Sequence, residues 1–212
     1  MKSKILITGG SSGLGRHFKE NSRHDIINIS RGESCKSVIM NNGPFNGFVH
    51  YAGIAYIEPV IQFTEKKFNE LMWVNVGMAL EIIKYVTKKQ YRGNDLSIVL
   101  MGSVAATRGA SCVSQYAASK GAIVSMTKSL AVELAPKGIR VNCISPGQVK
   151  DTRMTDVNKN KIGLDAFEAI ENKHLLGFGY KHDVSNLVEY LLSDKAKWIT
   201  GQNFIIDGGY TA

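Results

Sequence analysis

A tyrosine followed four positions later by a lysine, Tyr116 and Lys120 in SQYAASKG, puts a phenol and an ammonium on one face of a helix. A phenol hands a proton to a carbonyl oxygen only where its anion is tolerated, and its ordinary pKa of about 10 is high for exchange near neutral pH. A neighbouring ammonium favours the phenolate, so Lys120 is expected to lower that value. Ser103, upstream in MGSVAA, has a hydroxyl that can hydrogen-bond the same substrate oxygen and stabilise the charge developing there. Taken one at a time these residues have plain structural accounts: a ring in the core, an amine in solvent, a hydroxyl closing a strand. Taken together they suit reduction of a carbonyl, which needs a proton on oxygen and a hydride on carbon.

The elements that must position them are legible as alternating patterns. KILIT at 4–8, DIINIS at 25–30, FVHYA at 48–52, LSIVLM at 96–101, IRVNCIS at 139–145 and NFIID at 203–207 are short apolar runs of buried-strand type. Between them lie helical stripes, one through Phe68, Leu71, Met72, Ala79, Ile82, Ile83 and Val86 and another through Ile123, Val124, Thr127, Leu130, Ala131 and Leu134. A third spans 184–192, with Asp183 as its candidate N-cap. Strands alternating with helices predict a doubly wound α/β fold around a parallel sheet, with ligands outside the carboxyl ends of the strands. DTRMTDVNKN at 151–160 is polar and follows a Pro-Gly turn, so it is expected to be a surface loop.

TGGSSGLG follows the first strand. Gly9, Gly13 and Gly15 let the backbone turn sharply and approach a pyrophosphate, which the free amides of the next helix can bind. Asn75 lies on or beside an apolar stripe, where a buried amide needs partners.

With these motifs in this order, the chain resembles the short-chain dehydrogenase/reductase family and is similar to its 3-oxoacyl-carrier-protein reductase-like branch. The resemblance runs from TGGSSGLG to WITGQNFIIDGGY and implies a single Rossmann-type domain over residues 1–212. It gives Asn75, Ser103, Tyr116 and Lys120 the catalytic roles. Tyr116 is then the acid/base, Lys120 its electrostatic partner and a contact of the nicotinamide ribose, Ser103 the oxygen binder, and Asn75 the holder of a proton-relay water. It also implies cofactor contacts from Gly9, Ser11, Ser12, Gly13, Leu14 and Gly15, from Ser30 and Arg31, from Ala52 and Gly53, from Tyr116 and Lys120, and from Pro146, Gly147, Val149 and Thr152. A homotetramer or homodimer through helices near 64–90 and 114–135 and the last strand is a further implication.

The cofactor's identity turns on the end of the second strand. An acid there accepts bonds from the ribose 2′-hydroxyl of NAD(H), whereas a basic residue pairs with the 2′-phosphate of NADP(H). In NISRG the residues are Ser30 and Arg31, with no acid before Glu33, and NADP(H) is the expectation. The expected substrate is a small-molecule ketone or secondary alcohol, free or carrier-bound. It would lie between the Pro146-Gly147 turn, the 151–175 segment and the loop from Ala105 to Val113, which includes Arg108 and Cys112. The alternative is a non-catalytic NAD(P)-binding regulatory or structural protein, which a fold alone never excludes.

The composition is that of an ordinary soluble chain long enough for one substantial core: 212 residues, 44% hydrophobic and 21% charged, with no run of membrane-spanning length. The N-terminal apolar stretch is too short for a secretory signal, which points to the cytoplasm. Three separated cysteines without CxxC spacing suggest neither a disulfide framework nor a metal site. The formal charge of +8 favours anionic partners such as a phosphorylated cofactor or an acidic carrier, but its lysines form no basic block of nucleic-acid-binding type.

Three departures from the family pattern stand out. Tyr51-Ala52-Gly53, preceded by His50, replaces the usual NAG, and packing with satisfied polar ends competes with a changed adenosine-side wall. Gly32 to Gly47 spans only 16 residues, too few for a helix, a strand and a second helix. SVIM at 37–40 is the candidate for a minimal strand there, and Asn41 or Asn42 for the adenine contact. Finally, the usual PGxxxT spacing lands on Asp151, so this loop is one residue longer and Thr152 or Thr155 takes the threonine's place.

Overall fold

The β-branched runs pair as one six-stranded sheet in the computed structural model, which describes residues 2–212 apart from the side chains of Arg153 and Asn158. Strands β1 (Lys4–Thr8), β2 (Asp25–Ile29), β3 (Phe45–His50), β4 (Arg92–Met101), β5 (Arg140–Pro146) and β6 (Asn203–Ile206) lie in the order β2-β1-β3-β4-β5-β6. Every adjacent pair is parallel. Parallel pairing requires crossovers, and the crossover helices bury both faces of the sheet.

One face packs under α2 (Cys35–Asn42), α4 (Met78–Val86) and α5 (Ser114–Leu134), with Ile39, Phe48, Ile82, Ile98, Ile123 and Leu134 in its core. The other packs under α1 (Gly13–Asn21) and α8 (Lys181–Leu192), around Ile5, Phe18, Val49, Val99 and Val188. Each such side chain contributes about 1.5–3 kcal/mol by leaving water, so the two layers hold the strand ends in register. After β2 the chain crosses to the far side of β1, and this reversal opens a crevice at the carboxyl ends of β1 and β3.

The expected architecture holds, with four local corrections. The short segment between β2 and β3 keeps one helix and no strand: Ser37–Met40 lie inside α2, capped by Ser34 accepting from Ser37 N, which leaves β2 as the sheet edge. Asn41 and Asn42 end that helix near the amino edge of the sheet, where Lys4 Nζ donates to Asn42 O, so they lie away from the ligand crevice. The polar 151–160 stretch is not a loop but mostly α6 (Arg153–Ile162), capped by Thr152 accepting from Thr155 N and followed by α7 (Leu164–Glu171). Asp156 in its first turn and Lys159 and Lys161 in its last complement the helix dipole, a polarity that imitates loop composition. Finally, the N-cap of α8 lies three residues before the expected one: Tyr180 is the N-cap, and Asp183 reaches back to accept from Tyr180 N at 2.6 Å.

Candidate active site

The glycine-rich turn is built for close approach. Gly9 takes φ +72, and a Cβ there would stand 2.7 Å from Ala52 N; a Cβ at Gly15 would stand 2.4 Å from Gly9 O. The turn from β1, the start of α1 and the turn from β3 are therefore packed backbone to backbone, which only glycine permits. Gly13, at φ +54, has nothing within 4 Å of where its Cβ would be, and Ser12 caps α1 without a side-chain bond. Exposed Ser11 and Ser12, the open space at Gly13 and the first amides of α1 fit a pyrophosphate, while Leu14 packs into the core below. Asn28, which the sequence reading missed, anchors this turn. Its Oδ1 accepts from Gly10 N at 2.9 Å and its Nδ2 donates to Ser30 Oγ at 3.1 Å. Arg31 is exposed at the strand end, and the Glu33 carboxylate turns back to accept from Ser30 N.

Across the crevice a buried polar chain sets the β3 turn. Ala52 N donates to Thr8 Oγ1 at 3.1 Å, Thr8 Oγ1 lies 2.9 Å from His50 Nδ1, and His50 Nε2 lies 3.2 Å from Val74 O. Val74 O only accepts, so the ring hydrogen is on Nε2 and Nδ1 accepts from Thr8. Burial foremost, then the Lys120 charge, lowers the His50 pKa to about 4, so the ring is neutral. His50 thus has satisfied polar ends. Tyr51 has only the packing half of that expectation: its ring lies 5.8 Å from that of Phe18, and its enclosed hydroxyl has no hydrogen-bond partner among the described residues.

Asn75 owes its place to a widened helical turn. Between α3 (Glu65–Met72) and α4 the residues Trp73–Gly77 form a π-helical turn, with the Trp73 ring lying over Gly77. The extra residue per turn rotates Asn75 inward. Its Oδ1 accepts from Ile54 N at 2.8 Å, and its Nδ2 donates to Ile54 O at 3.0 Å and to Ser119 Oγ at 2.9 Å. Both amide hydrogens are used, so the side chain pins the loop after Gly53 to α5. A Cβ on Gly53 would be 3.5 Å from Asn75 Oδ1 and 3.6 Å from Lys120 Nζ, which makes Gly53 the meeting point of the two.

Ser103, following β4, accepts from Ala105 N at 3.2 Å. On α5, Lys120 is buried, donates to Met101 O at 2.7 Å and has its Nζ 5.6 Å from the centroid of the Tyr116 ring. The Tyr116 hydroxyl faces Met154 Sδ of α6 at 3.8 Å. The expected lowering of Tyr116 is not what the structure gives: burial pushes the phenol up to about 12, with a hydrogen bond to Ser103 acting against it. Burial also lowers Lys120 to about 8, partly offset by Cys143. Desolvation of a phenolate in this site outweighs the nearby ammonium.

Pro146 ends β5, and Gly147 N donates to Ile206 O at 2.9 Å. Asp151 absorbs the extra residue of this loop at φ +56, a left-handed conformation that Asp tolerates. The neighbouring hydroxyls are committed locally: Thr152 and Thr155 both donate to Val149 O, and the Val149 side chain is buried in the core. Of the segments expected to bound a substrate pocket, α6 reaches Tyr116 through Met154 Sδ, and the Ala105–Val113 loop runs into α5, where Ala117 N donates to Val113 O. They are joined by a segment not foreseen, where Glu58 N donates to Cys112 O at 2.8 Å and Lys161 Nζ to Ile57 O at 3.0 Å. Arg108 lies over the Tyr210 ring, 3.8 Å from its centroid, so its charge is held by the C-terminal turn.

A doubly wound parallel sheet with Ser103, Tyr116 and Lys120 at its carboxyl edge defines an oxidoreductase class, and the chain belongs to the short-chain dehydrogenase/reductase family. A family model described as Enoyl-(Acyl carrier protein) reductase matches residues 28–211. The 3-oxoacyl-[acyl-carrier-protein] reductase FabG of Rickettsia felis is 32% identical over 212 residues, covering 98% of this chain and 86% of that protein. A protein named inactive 2-(S)-hydroxypropyl-CoM dehydrogenase 2, from Xanthobacter autotrophicus, is 36% identical over 80% of this chain and 75% of its own. Among solved structures, a short chain dehydrogenase family protein from Francisella tularensis superposes with TM-score 0.86 at 30% identity, covering 100% of this chain and 99% of that one.

Proposed function

We propose that this protein is an NADP(H)-dependent oxidoreductase that interconverts a ketone and a secondary alcohol, with Tyr116 as the acid and base. The observation that carries the proposal is the convergence of Tyr116, Ser103 and Lys120: the Ser103 side chain acts on the phenol against the effect of burial, and the lysine nitrogen lies 5.6 Å from the centroid of the same ring. NADPH supplies the hydride when bound. The turn from Gly9 to Gly15 would hold its pyrophosphate, and Ser30 and Arg31 its 2′-phosphate.

In reduction, Ser103 and Tyr116 hydrogen-bond the carbonyl oxygen, and as the carbon accepts the hydride the Tyr116 proton passes to that oxygen, leaving a phenolate. With the phenol pushed up to about 12, Tyr116 is protonated at neutral pH and ready to donate. Lys120, at about 8, is mostly cationic there and stabilises the phenolate as it forms. Asn75 holds the loop at Gly53 in register with both.

A β-ketoacyl thioester on an acidic carrier suits the +8 charge of the chain and its likeness to a carrier-protein reductase. A second copy of the chain suits the edge strand β6, where Ile205 is half exposed, and Trp198, in the segment leading into it, is 98% exposed. The deciding experiment is NADPH oxidation over a panel of ketones and β-ketoacyl thioesters, with Tyr116→Phe as the comparison. Binding of NADPH without turnover of any substrate would make the protein a non-catalytic NAD(P)-binding protein, a reading that the relative named inactive keeps alive. Tighter binding of NADH than of NADPH by the parent, unchanged by Arg31→Ala, would overturn the cofactor assignment.

A further inference from the structure

One buried polar ring beside the site has no part in the chemistry above. His174, past the end of α7, is 4% exposed. Its Nδ1 lies 2.9 Å from Ile170 O, which only accepts, so Nδ1 carries the hydrogen. Nε2 is left with its lone pair and accepts from Gln148 N at 3.3 Å. The two contacts fix one neutral tautomer and tie the residue after Pro146-Gly147 to the end of α7. Gly147 makes room for the ring: a Cβ there would stand 3.0 Å from His174 Nε2 and 2.9 Å from Asp207 Cβ.

Both sides of the ring are also engaged. His174 stacks on Tyr210 with centroids 4.1 Å apart and planes 14° from parallel, and it meets Phe178 edge-on at 4.9 Å. The Arg108 guanidinium lies against the same Tyr210 ring and donates to Tyr210 O. One imidazole therefore joins the turn after β5, the C-terminal turn and, through Tyr210, the loop that follows Ser103.

We infer that His174 is a positioning residue for the nicotinamide end of the cofactor, acting through the Pro146-Gly147-Gln148 turn. The inference rests on the proposed cofactor reading. Replacing the imidazole by a phenyl group of similar shape removes the Nε2 acceptor that Gln148 N meets, and with it this ring's hydrogen-bonded link between the turn and the end of α7.

The test is to compare the parent with H174F, which keeps the stacking, and with H174Q, which keeps a donor and an acceptor. Affinities for NADPH and for adenosine 2′,5′-bisphosphate, which lacks the nicotinamide half, are measured alongside thermal melting. Expected for H174F is a roughly tenfold weaker NADPH affinity, with the bisphosphate bound as in the parent and most of the loss recovered in H174Q. If H174F does not fold, G147A puts a methyl group against Nε2 and should give the same selective loss. Equal loss for both ligands, or no loss for either, would overturn the inference. A parent that binds neither NADPH nor NADH would overturn the cofactor reading as well, whereas a parent that prefers NADH moves the comparison to NADH against ADP and leaves the inference to stand or fall there.

Discussion

Thr8 Oγ1 stands 2.9 Å from His50 Nδ1, at the carboxyl ends of the two strands between which the chain reverses. The bond needs a neutral ring, because Nδ1 accepts the hydroxyl hydrogen that Thr8 offers after accepting from Ala52 N.

The folded pKa of His50 is about 4 against an ordinary value of 6.5. A histidine depressed in this way contributes stability that is present above about pH 6.5 and is lost as pH falls through about 4, because the unfolded chain takes up the proton first. The full effect is roughly 3 kcal/mol for a shift of this size. Urea melts between pH 4 and 7 should show this acid limb, and His50→Gln should flatten it; an equally steep limb in the variant would assign the acid sensitivity elsewhere.

Lys120 has the same sign in a higher pH window. Its folded pKa, about 8, lies below the ordinary 10.5, so burying the ammonium costs stability throughout the range below about 8 and the cost fades between 8 and 10.5. Lys120→Met is expected to abolish turnover and yet melt higher than the parent at pH 7, by on the order of 3 kcal/mol less the lost bond to Met101 O. The difference should shrink toward pH 10. Melting curves at the two pH values decide it, and a variant less stable than the parent at pH 7 would contradict the assignment.

In the proposed reduction, Tyr116→Phe and Ser103→Ala should each lower kcat by about 10²–10⁴-fold while cofactor affinity stays within a few-fold of the parent. The parent rate should also fall as pH rises past about 8, where Lys120 loses its charge. Steady-state kinetics from pH 6 to 10 with cofactor titrations check both expectations.

Asn28→Ala removes the acceptor that Gly10 N meets at 2.9 Å. The turn should loosen by about 1 kcal/mol, read as a roughly fivefold rise in KM for the cofactor with kcat near that of the parent. A matching fall in kcat would place the effect in the chemical step instead.

The strands were legible because their β-branched runs must be buried on both faces of a parallel sheet, and the composition of such runs has few other solutions. The catalytic candidates were legible for a different reason: Tyr116 and Lys120 are four apart on one helix, so local geometry already puts them on one face. The helix α6 was not legible, since its capping threonine, acidic first turn and basic last turn are the residue types of a solvated loop. Asn28 gave no signal either, because its partner, Gly10, lies 18 residues away.

What sequence alone determined is therefore the alternation of layers, the glycine-rich turn and the identity of the chemical groups, all properties of local pattern and residue type. Tertiary structure decided their state. Desolvation depends on everything packed around a group, and it raised Tyr116 where its neighbour on the helix promised to lower it. The same packing assigned the hydrogen on His50 and gathered His174, Tyr210 and Arg108, from three separate segments, into one stack. Contacts between residues far apart in the chain exist only once the sheet and its helices have closed, so no periodicity along the sequence records them.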